Sequence, residues 1–283
     1  MAKILSGKTV SQRVKENLKN EIANLKEKGI FPGLAVIIVG EDPASKVYVG
    51  RKEAMCEELG IYSEKYALPE ETSEEELLDL IDALNKSKKI NGILCQLPLP
   101  KHLNEKNVLD AIAPEKDVDA FHPVNVGKIM IGDYDFVPCT PAGIMELIAE
   151  SGIDPAGKNC TVIGRSNIVG KPMAMLLLHK NGTVTVCHSK TQNLKEVTKN
   201  ADILVAAVGK ANFVTADMVK QGAVVIDVGM NRCEDGKLCG DVDFENVEKV
   251  AGAITPVPGG VGPMTISMLM QNTVTAAKKQ HNI

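Results

Sequence analysis

The chain has no tryptophan, and only 3% of its residues are aromatic. No apolar run approaches the roughly 20 residues needed to cross a bilayer. Met1 to Gln12 has no apolar core of signal-peptide length. These absences predict a soluble, cytoplasmic protein without a membrane partner. An excess of positive charge is also missing: 32 Lys and Arg stand against 36 Asp and Glu in 283 residues, a formal net charge of -4. Such a chain has no general attraction for nucleic acid, although a local cluster of donors can still hold an anion. Low-complexity tracts and short-period repeats are lacking. No His, Cys and carboxylate group has metal-ligand spacing, so no metal is expected. No nucleophile triad is visible either.

Seven cysteines are present, an odd number, and several lie in apolar runs. They read as reduced, core-packed thiols. Cys233 and Cys239 flank a segment resembling a hairpin turn, where a disulfide or metal pair is conceivable; without a second pair or a nearby His, free thiols are the expectation.

What the chain does have is alternation. Val10, Val14, Leu18, Ile22 and Leu25 recur at helical spacing, which predicts a helix from Lys8 to Lys28, stopped by Gly29. Gly33-Leu-Ala-Val-Ile-Ile-Val-Gly40 is a continuous apolar run, the pattern of a strand buried on both faces of a parallel sheet. A helix is expected from Pro43 to Leu59, a weaker strand over Tyr62 to Leu68, and a capping box of Ser73 and Glu76 opening a helix to Asn85. Gly92 to Leu97 is the next strand, and residues 101–139 read as loops with one short helix. A helix with Pro141 at its first position follows and reaches Ser151, as a hinge. The pattern then restarts. Strands are predicted at Asn159–Gly164, Thr183–Cys187, Asp202–Gly209, Ala223–Gly229 and Ala253–Pro256, with helices at Gly170–Lys180, Leu194–Asn200 and Met264–Lys279. Strand–helix alternation on this scale implies an α/β protein with parallel sheets.

The strand ending at Gly164 runs into Gly164-Arg-Ser-Asn-Ile-Val-Gly170 and then a helix. A helix N-terminus approached through glycines can hold a pyrophosphate with its free N–H groups. Five residues separate the glycines, so the motif alone is weak, and a purely steric strand-to-helix turn explains it equally well. The further strand–helix alternations behind it favour a Rossmann-like dinucleotide site. The second strand ends at Cys187-His-Ser189-Lys-Thr191 without a carboxylate. Hydroxyl and cationic groups there, with Arg165 nearby, suit the extra phosphate of NADP. His188 fits a direct contact or an ordinary polar strand end.

In the first half, Tyr48, Lys52, Met55, Cys56 and Leu59 form one stripe of the helix from Pro43. Two readings fit Lys52: a lysine that snorkels to water, or a partly desolvated general acid–base. Its place just beyond the strand ending at Gly40, with Gln96 ending another strand, favours the second. Asp117 and Asp119 are turn formers or carboxylates that read adjacent donors. Pro256-Val-Pro-Gly-Gly-Val-Gly-Pro263 suits close backbone approach to a flat ligand.

These segments together resemble the bifunctional methylenetetrahydrofolate dehydrogenase/methenyltetrahydrofolate cyclohydrolase family. The resemblance is carried in order by Ser45–Lys52, Gly92–Pro100, Lys116–Asp119, Phe121–Pro123, Pro138–Pro141, Gly164–Gly170 and Pro256–Thr265. It implies two parallel-sheet α/β domains with the active-site cleft between them. Residues 1–140 would form the folate-binding catalytic domain, with helix 264–283 packing back on it, and 141–263 the NADP-binding Rossmann domain. It implies oxidation of 5,10-methylenetetrahydrofolate with NADP, hydrolysis of the product to 10-formyltetrahydrofolate, and a homodimer. By matching positions, Lys52 is the catalytic lysine, Gln96 its hydrogen-bond partner, Tyr48 a residue that positions the folate, and Asp119 the grip on the pterin. Gly262 and Pro263 line the substrate pocket, while Gly164, Arg165, Ser166, Ser189 and Met230 hold the cofactor. One departure stands out: Ala120 occupies a position where the family usually has glycine. The residues alone admit two rivals, another two-domain NADP-dependent oxidoreductase and a non-catalytic nucleotide sensor; neither accounts for the group at Tyr48, Lys52 and Gln96.

Overall fold

The computed structural model describes the whole chain except Glu234, Asp235 and the side chain of Ala44. It divides into two compact units. One, here the Lys52 unit, comprises Arg13–Cys139 with Ile266–Ile283; the other, the Gly164 unit, comprises Met1–Gln12 with Thr140–Thr265.

The Lys52 unit is built on a three-stranded parallel sheet in the order Tyr62–Leu68, Gly33–Val39, Gly92–Cys95. All seven residues of the central strand are buried, as a strand covered on both faces must be. Ala35, Ile37 and Val39 pack with Leu77, Ile81 and Leu84 of the helix Glu74–Lys86. Each buried aliphatic side chain of this kind contributes roughly 1.5–3 kcal/mol. The helix Pro43–Leu59 starts where Asp42 accepts from Ser45 N–H at 2.7 Å and stops at Gly60, whose φ of 71° needs no Cβ penalty. The predicted capping box is present: Ser73 and Glu76 satisfy each other's backbone N–H groups.

Residues 101–139 depart from the expectation of loops with one short helix. They hold two helices, Glu105–Ala111 and Pro123–Ile131. The first has only two turns, and the second is apolar around much of its surface, with Val124, Val126, Met130 and Ile131 exposed. Neither displays a legible amphipathic period. The next helix begins at Cys139, so Pro141 is its third residue and not its first. From the C-terminal helix, Asn272 donates to Val118 O at 2.8 Å and Val137 O at 2.9 Å, and Gln280 donates to Asn91 O and Glu115 O at 2.9 Å.

The Gly164 unit has a six-stranded sheet, parallel throughout. Its order is Lys3–Ile4, Ala253–Ile254, Val224–Asp227, Ile203–Ala206, Asn159–Ile163, Thr183–Cys187. The strand order reverses at Asn159–Ile163, so the crevice beyond its carboxyl end is a topological switch point. The edge strand Lys3–Ile4, two residues long with both side chains exposed, has no pattern that sequence reading can detect.

The cysteine expectation is corrected in one place. Cys56, Cys95, Cys139, Cys160 and Cys187 are free and buried, but Cys233 and Cys239 form a disulfide. The antiparallel strands Asn231–Arg232 and Leu238–Cys239 bring their Cα atoms to 6.2 Å, within bridging range. The predicted hairpin is therefore present, while its residues Glu234 and Asp235 lie outside the described residues. Among the described residues no group of His, Cys, Asp and Glu could hold a metal, and no helix is long and apolar enough to cross a membrane.

Gly92 connects this framework to the site below. A Cβ added there would lie 2.5 Å from Val118 Cγ1, and Val118 is fully buried between Asp117 and Asp119. Valine is stiff at χ1 and cannot swing aside. Gly92→Ala should lower unfolding free energy by about 1–3 kcal/mol, measured as a shift in urea midpoint; an unchanged midpoint would show that the loop yields freely.

Candidate active site and nucleotide-binding turn

Lys52 is 8% exposed, on the inward stripe of the helix Pro43–Leu59 with Val49, Cys56 and Leu59. Tyr48 and Met55 border that stripe and are half-buried. The Lys52 ammonium donates to Gln96 Oε1 at 2.8 Å, and Gln96 Nε2 donates to Leu97 O at 2.7 Å. The amide is thus held with its oxygen toward the lysine. Gln96 follows directly on the strand Gly92–Cys95, and its N–H donates to Ile37 O of the central strand at 2.8 Å. Lysine and glutamine therefore meet at the carboxyl edge of the sheet.

Burial holds the Lys52 ammonium below the ordinary lysine value; the charges of Asp119 and then Cys139 act against that shift. Burial likewise pushes the Asp119 carboxyl up, while Lys52 pulls it down. Cys139 Sγ donates to Asp119 Oδ1 at 3.5 Å, and its thiol is pushed well above the usual range by burial and by the Asp119 charge. Sequence reading missed Cys139, whose only signal was its place in Pro138–Pro141. Lys52, Gln96 and Asp119 are brought together. The ring of Tyr48, one helical turn before Lys52, has the Arg51 guanidinium 6.0 Å from its centroid.

The two aspartates divide their tasks. Asp117 is 2% exposed and accepts from His122 N–H and Asn125 Nδ2, each at 2.8 Å. It is the turn former, fixing the start of the helix Pro123–Ile131. Lys116, also buried, donates to Leu84 O at 2.9 Å and Ser87 O at 2.7 Å, closing the end of the helix Glu74–Lys86. Ala120 has a φ of 57° and is fully buried. Alanine thus adopts the left-handed conformation that glycine takes without penalty, at a cost of roughly 1–2 kcal/mol.

In the Gly164 unit the glycine turn is sterically required, and its geometry is compatible with the nucleotide-binding reading. A Cβ on Gly164, where φ is 138°, would lie 2.4 Å from Ala207 O; one on Gly170 would lie 2.3 Å from Gly164 O. Only glycine lets the helix Gly170–His179 start this close to the strand end. Ser166 Oγ accepts from Val169 N–H at 3.1 Å and Gly170 N–H at 3.3 Å, leaving its own O–H to donate outward. Arg165 and Ser166 are exposed. Gly164 N–H donates to Cys187 O at 2.9 Å, so the turn lies beside the end of the second strand. There His188 shapes the turn: its Nδ1 accepts from Lys190 N–H at 3.2 Å, and Thr191 N–H closes the turn on His188 O at 2.8 Å. Ser189 and Lys190 stand exposed at its tip. Met230 and Gly262 are neighbours, since a Cβ on Gly262 would lie 3.5 Å from Met230 Cε. Gly262 and Pro263 thus belong with the turn residues in the Gly164 unit, and Tyr48, Lys52, Gln96 and Asp119 in the other.

Two residues behind this crevice were not anticipated. Asp227 and Asp241, 2% and 0% exposed, accept hydrogen bonds from the loops that follow the central strands. Burial pushes the Asp227 carboxyl up to about 6, against three backbone amides that hold it down. Nothing in a local sequence pattern reveals carboxylates most of whose partners lie 10 to 33 residues away.

A parallel sheet with a glycine-lined switch point defines a dinucleotide-binding α/β protein, here joined to a second unit carrying a desolvated lysine. The chain belongs to the tetrahydrofolate dehydrogenase/cyclohydrolase family: the model for the family's catalytic domain matches residues 5–119 and that for its NAD(P)-binding domain residues 138–281. It is 67% identical to the bifunctional protein FolD of Acetivibrio thermocellus over 279 residues, 99% of this chain and 98% of that one. Against FolD of Ruminiclostridium cellulolyticum the identity is 61% over 282 residues, 100% of this chain and 99% of the relative. The crystal structure of the FolD enzyme of Campylobacter jejuni superposes with a TM-score of 0.96 at 51% identity, covering 99% of this chain and 100% of that one. The Trypanosoma brucei enzyme, solved with NADP cofactor and an inhibitor, gives 0.94 at 38%, covering 100% and 99%. Shikimate dehydrogenase of Thermus thermophilus, with a TM-score of 0.51 at 15% identity over 87% of this chain and 99% of that one, shares the fold alone.

Desolvation of Lys52 has a signed consequence. The unfolded lysine keeps its proton up to about 10.5, while the folded one, its pKa lowered, releases it earlier. Between the two values the unfolded state binds more protons, so wild-type stability rises with pH relative to Lys52→Met. Urea unfolding of both proteins between neutral pH and about pH 10 checks this; parallel pH slopes would refute it.

Proposed function

We propose that the protein oxidises 5,10-methylenetetrahydrofolate to the 5,10-methenyl form with NADP, then hydrolyses it to 10-formyltetrahydrofolate. The observation that carries this reading is Lys52: buried, lowered in pKa and hydrogen-bonded to Gln96 at 2.8 Å, in the unit that matches the family's catalytic domain. NADP supplies the hydride acceptor for the first reaction. The steric cradle at Gly164 and Gly170 fits its pyrophosphate. The exposed Arg165 and Ser189, at neighbouring strand ends without a carboxylate, fit its 2′-phosphate. Ser166 and the Met230 backbone complete the cofactor contacts.

The second reaction needs a base that becomes an acid. Water adds to the electrophilic methenyl carbon and loses a proton, giving a neutral carbinolamine. Its hydroxyl then loses the second proton as the C=O forms, the bond from that carbon to N5 breaks, and N5 takes a proton, so that one proton is released overall. A desolvated lysine exchanges its proton more readily than one in water, and so serves both steps. Gln96 Oε1 orients its N–H and supports the charged form after the proton is taken up. Asp119 accepts from the adjacent N–H donors of the pterin. Tyr48 packs on the folate and positions it, and Gly262 and Pro263 line the substrate pocket with little bulk. The protein acts as a homodimer.

Lys52→Ala should lower conversion of methenyl- to 10-formyltetrahydrofolate by at least about 100-fold, while NADPH binding persists; normal cyclohydrolase turnover would remove Lys52 from its role. Arg165→Ala combined with Ser189→Asp should shift the ratio of kcat/KM for NADP over NAD by about tenfold toward NAD, equivalent to about 1.4 kcal/mol. A dehydrogenase assay with methylenetetrahydrofolate and each nucleotide measures it, and an unchanged ratio would place the 2′-phosphate elsewhere.

A further inference from the structure

The wall facing the Gly164 turn is the segment 207–210, which leaves the strand Ile203–Ala206 on the other side of the switch point. One carboxylate holds it. Asp241 Oδ2 accepts from Val208 N–H at 2.6 Å and Gly209 N–H at 2.9 Å, and Oδ1 from Lys210 N–H and Asn231 Nδ2, both at 2.9 Å. A carboxylate offers about four lone-pair positions, and all are taken. Asp227 braces it from behind. Its Oδ1 accepts from Asp241 N–H at 2.8 Å and Gly229 N–H at 2.9 Å, and its Oδ2 from Val242 N–H at 3.0 Å. Two glycines make room for this packing: a Cβ on Gly229 would lie 2.3 Å from Asp241 Oδ1, and one on Gly240 would lie 1.8 Å from Asp227 Oδ2.

Peptide geometry sets what this wall presents. In a trans peptide the C=O points opposite to the N–H. Three successive N–H groups turned onto Asp241 therefore turn the carbonyl oxygens of Ala207, Val208 and Gly209 away from it. Among the described residues no hydrogen bond reaches these three oxygens. Ala207 O also lies directly against Gly164. A row of acceptors repels phosphate and suits O–H or N–H₂ donors. The adenosine half of a dinucleotide lies toward the second strand, Thr183–Cys187, on the opposite side of Asn159–Ile163. The acceptor wall thus faces the other half, which carries ribose hydroxyls and a carboxamide.

We propose that Asp241, braced by Asp227, is the positioning residue for the nicotinamide-ribose half of the dinucleotide, fixing the Ala207, Val208 and Gly209 carbonyls as its hydrogen-bond acceptors. The inference rests on the reading of the Gly164 turn as a dinucleotide site. Asp241→Asn keeps the volume but replaces one acceptor oxygen with a donor facing N–H groups.

Fluorescence titration with NADPH and with 2′,5′-ADP, which lacks the nicotinamide-ribose half, tests the inference in the full-length protein. In Asp241→Asn the NADPH dissociation constant should rise at least about tenfold, about 1.4 kcal/mol. Affinity for 2′,5′-ADP, and methenyltetrahydrofolate hydrolysis without nucleotide, should stay within about twofold of wild type. Asn231→Ala removes one of the four bonds to Asp241 and should weaken NADPH alone by about two- to fivefold; it decides the matter if the first variant does not fold. Unchanged NADPH affinity, or equal loss for both nucleotides, overturns the positioning role. A wild-type protein that binds neither nucleotide overturns the dinucleotide reading itself, and the wild-type titration reports this separately.

Discussion

A lysine ammonium taken out of water must find compensation or lose its proton. Lys52 finds only part of it. One amide oxygen accepts from it and a carboxylate lies near enough to be felt, yet burial still dominates the balance. The surrounding unit maintains this arrangement. The helix cap at Asp42 fixes where the lysine stripe begins, the central strand holds Gln96 by its backbone, and Asp117 and Lys116 pin the loop that brings Asp119 close. A lysine whose pKa is lowered by burial suits a reaction in which one residue must both take and return a proton. The cost of holding it there is distributed over hydrogen bonds that have no chemistry of their own.

The Gly164 unit solves a different problem with the same means. A dinucleotide is large and anionic, and the glycine turn and the wall facing it present mostly backbone. Backbone is positioned by what holds its other side. At the turn this is Ser166, which caps the helix start through its hydroxyl oxygen. Across the crevice it is Asp241, which collects successive amides. Glycines stand wherever these approaches leave no room for a Cβ, as at Gly164, Gly170, Gly229 and Gly240.

Legibility in the sequence followed the range of the interactions. Strands buried on both faces, such as Gly33–Val39, appear as uninterrupted apolar runs because every residue meets the same environment. The capping box at Ser73 is legible because its partners lie three residues apart. Lys52 was detectable as a cation on an apolar stripe, although its partners were not. The left-handed Ala120 was detectable only because related chains place glycine there. Features made by distant partners left no local trace: most of the Asp227 and Asp241 contacts and the two-residue edge strand Lys3–Ile4. The hairpin between Cys233 and Cys239 was legible, but spacing alone does not distinguish a disulfide from two free thiols. The helix Pro123–Ile131 escaped for another reason, since exposed apolar residues erase the contrast between its faces.

The free cysteines have a bearing on chemical durability. All five are buried, and burial pushes Cys56 and Cys160 up to about 11 and Cys95 to about 12. Thiolate, not thiol, attacks electrophiles; a thiol with pKa near 11 is ionised about once in ten thousand molecules at pH 7. A protein that handles an activated one-carbon unit works beside an electrophile able to alkylate a nucleophilic sulfur. Packing every free thiol into the interior keeps the catalyst from becoming its own reactant.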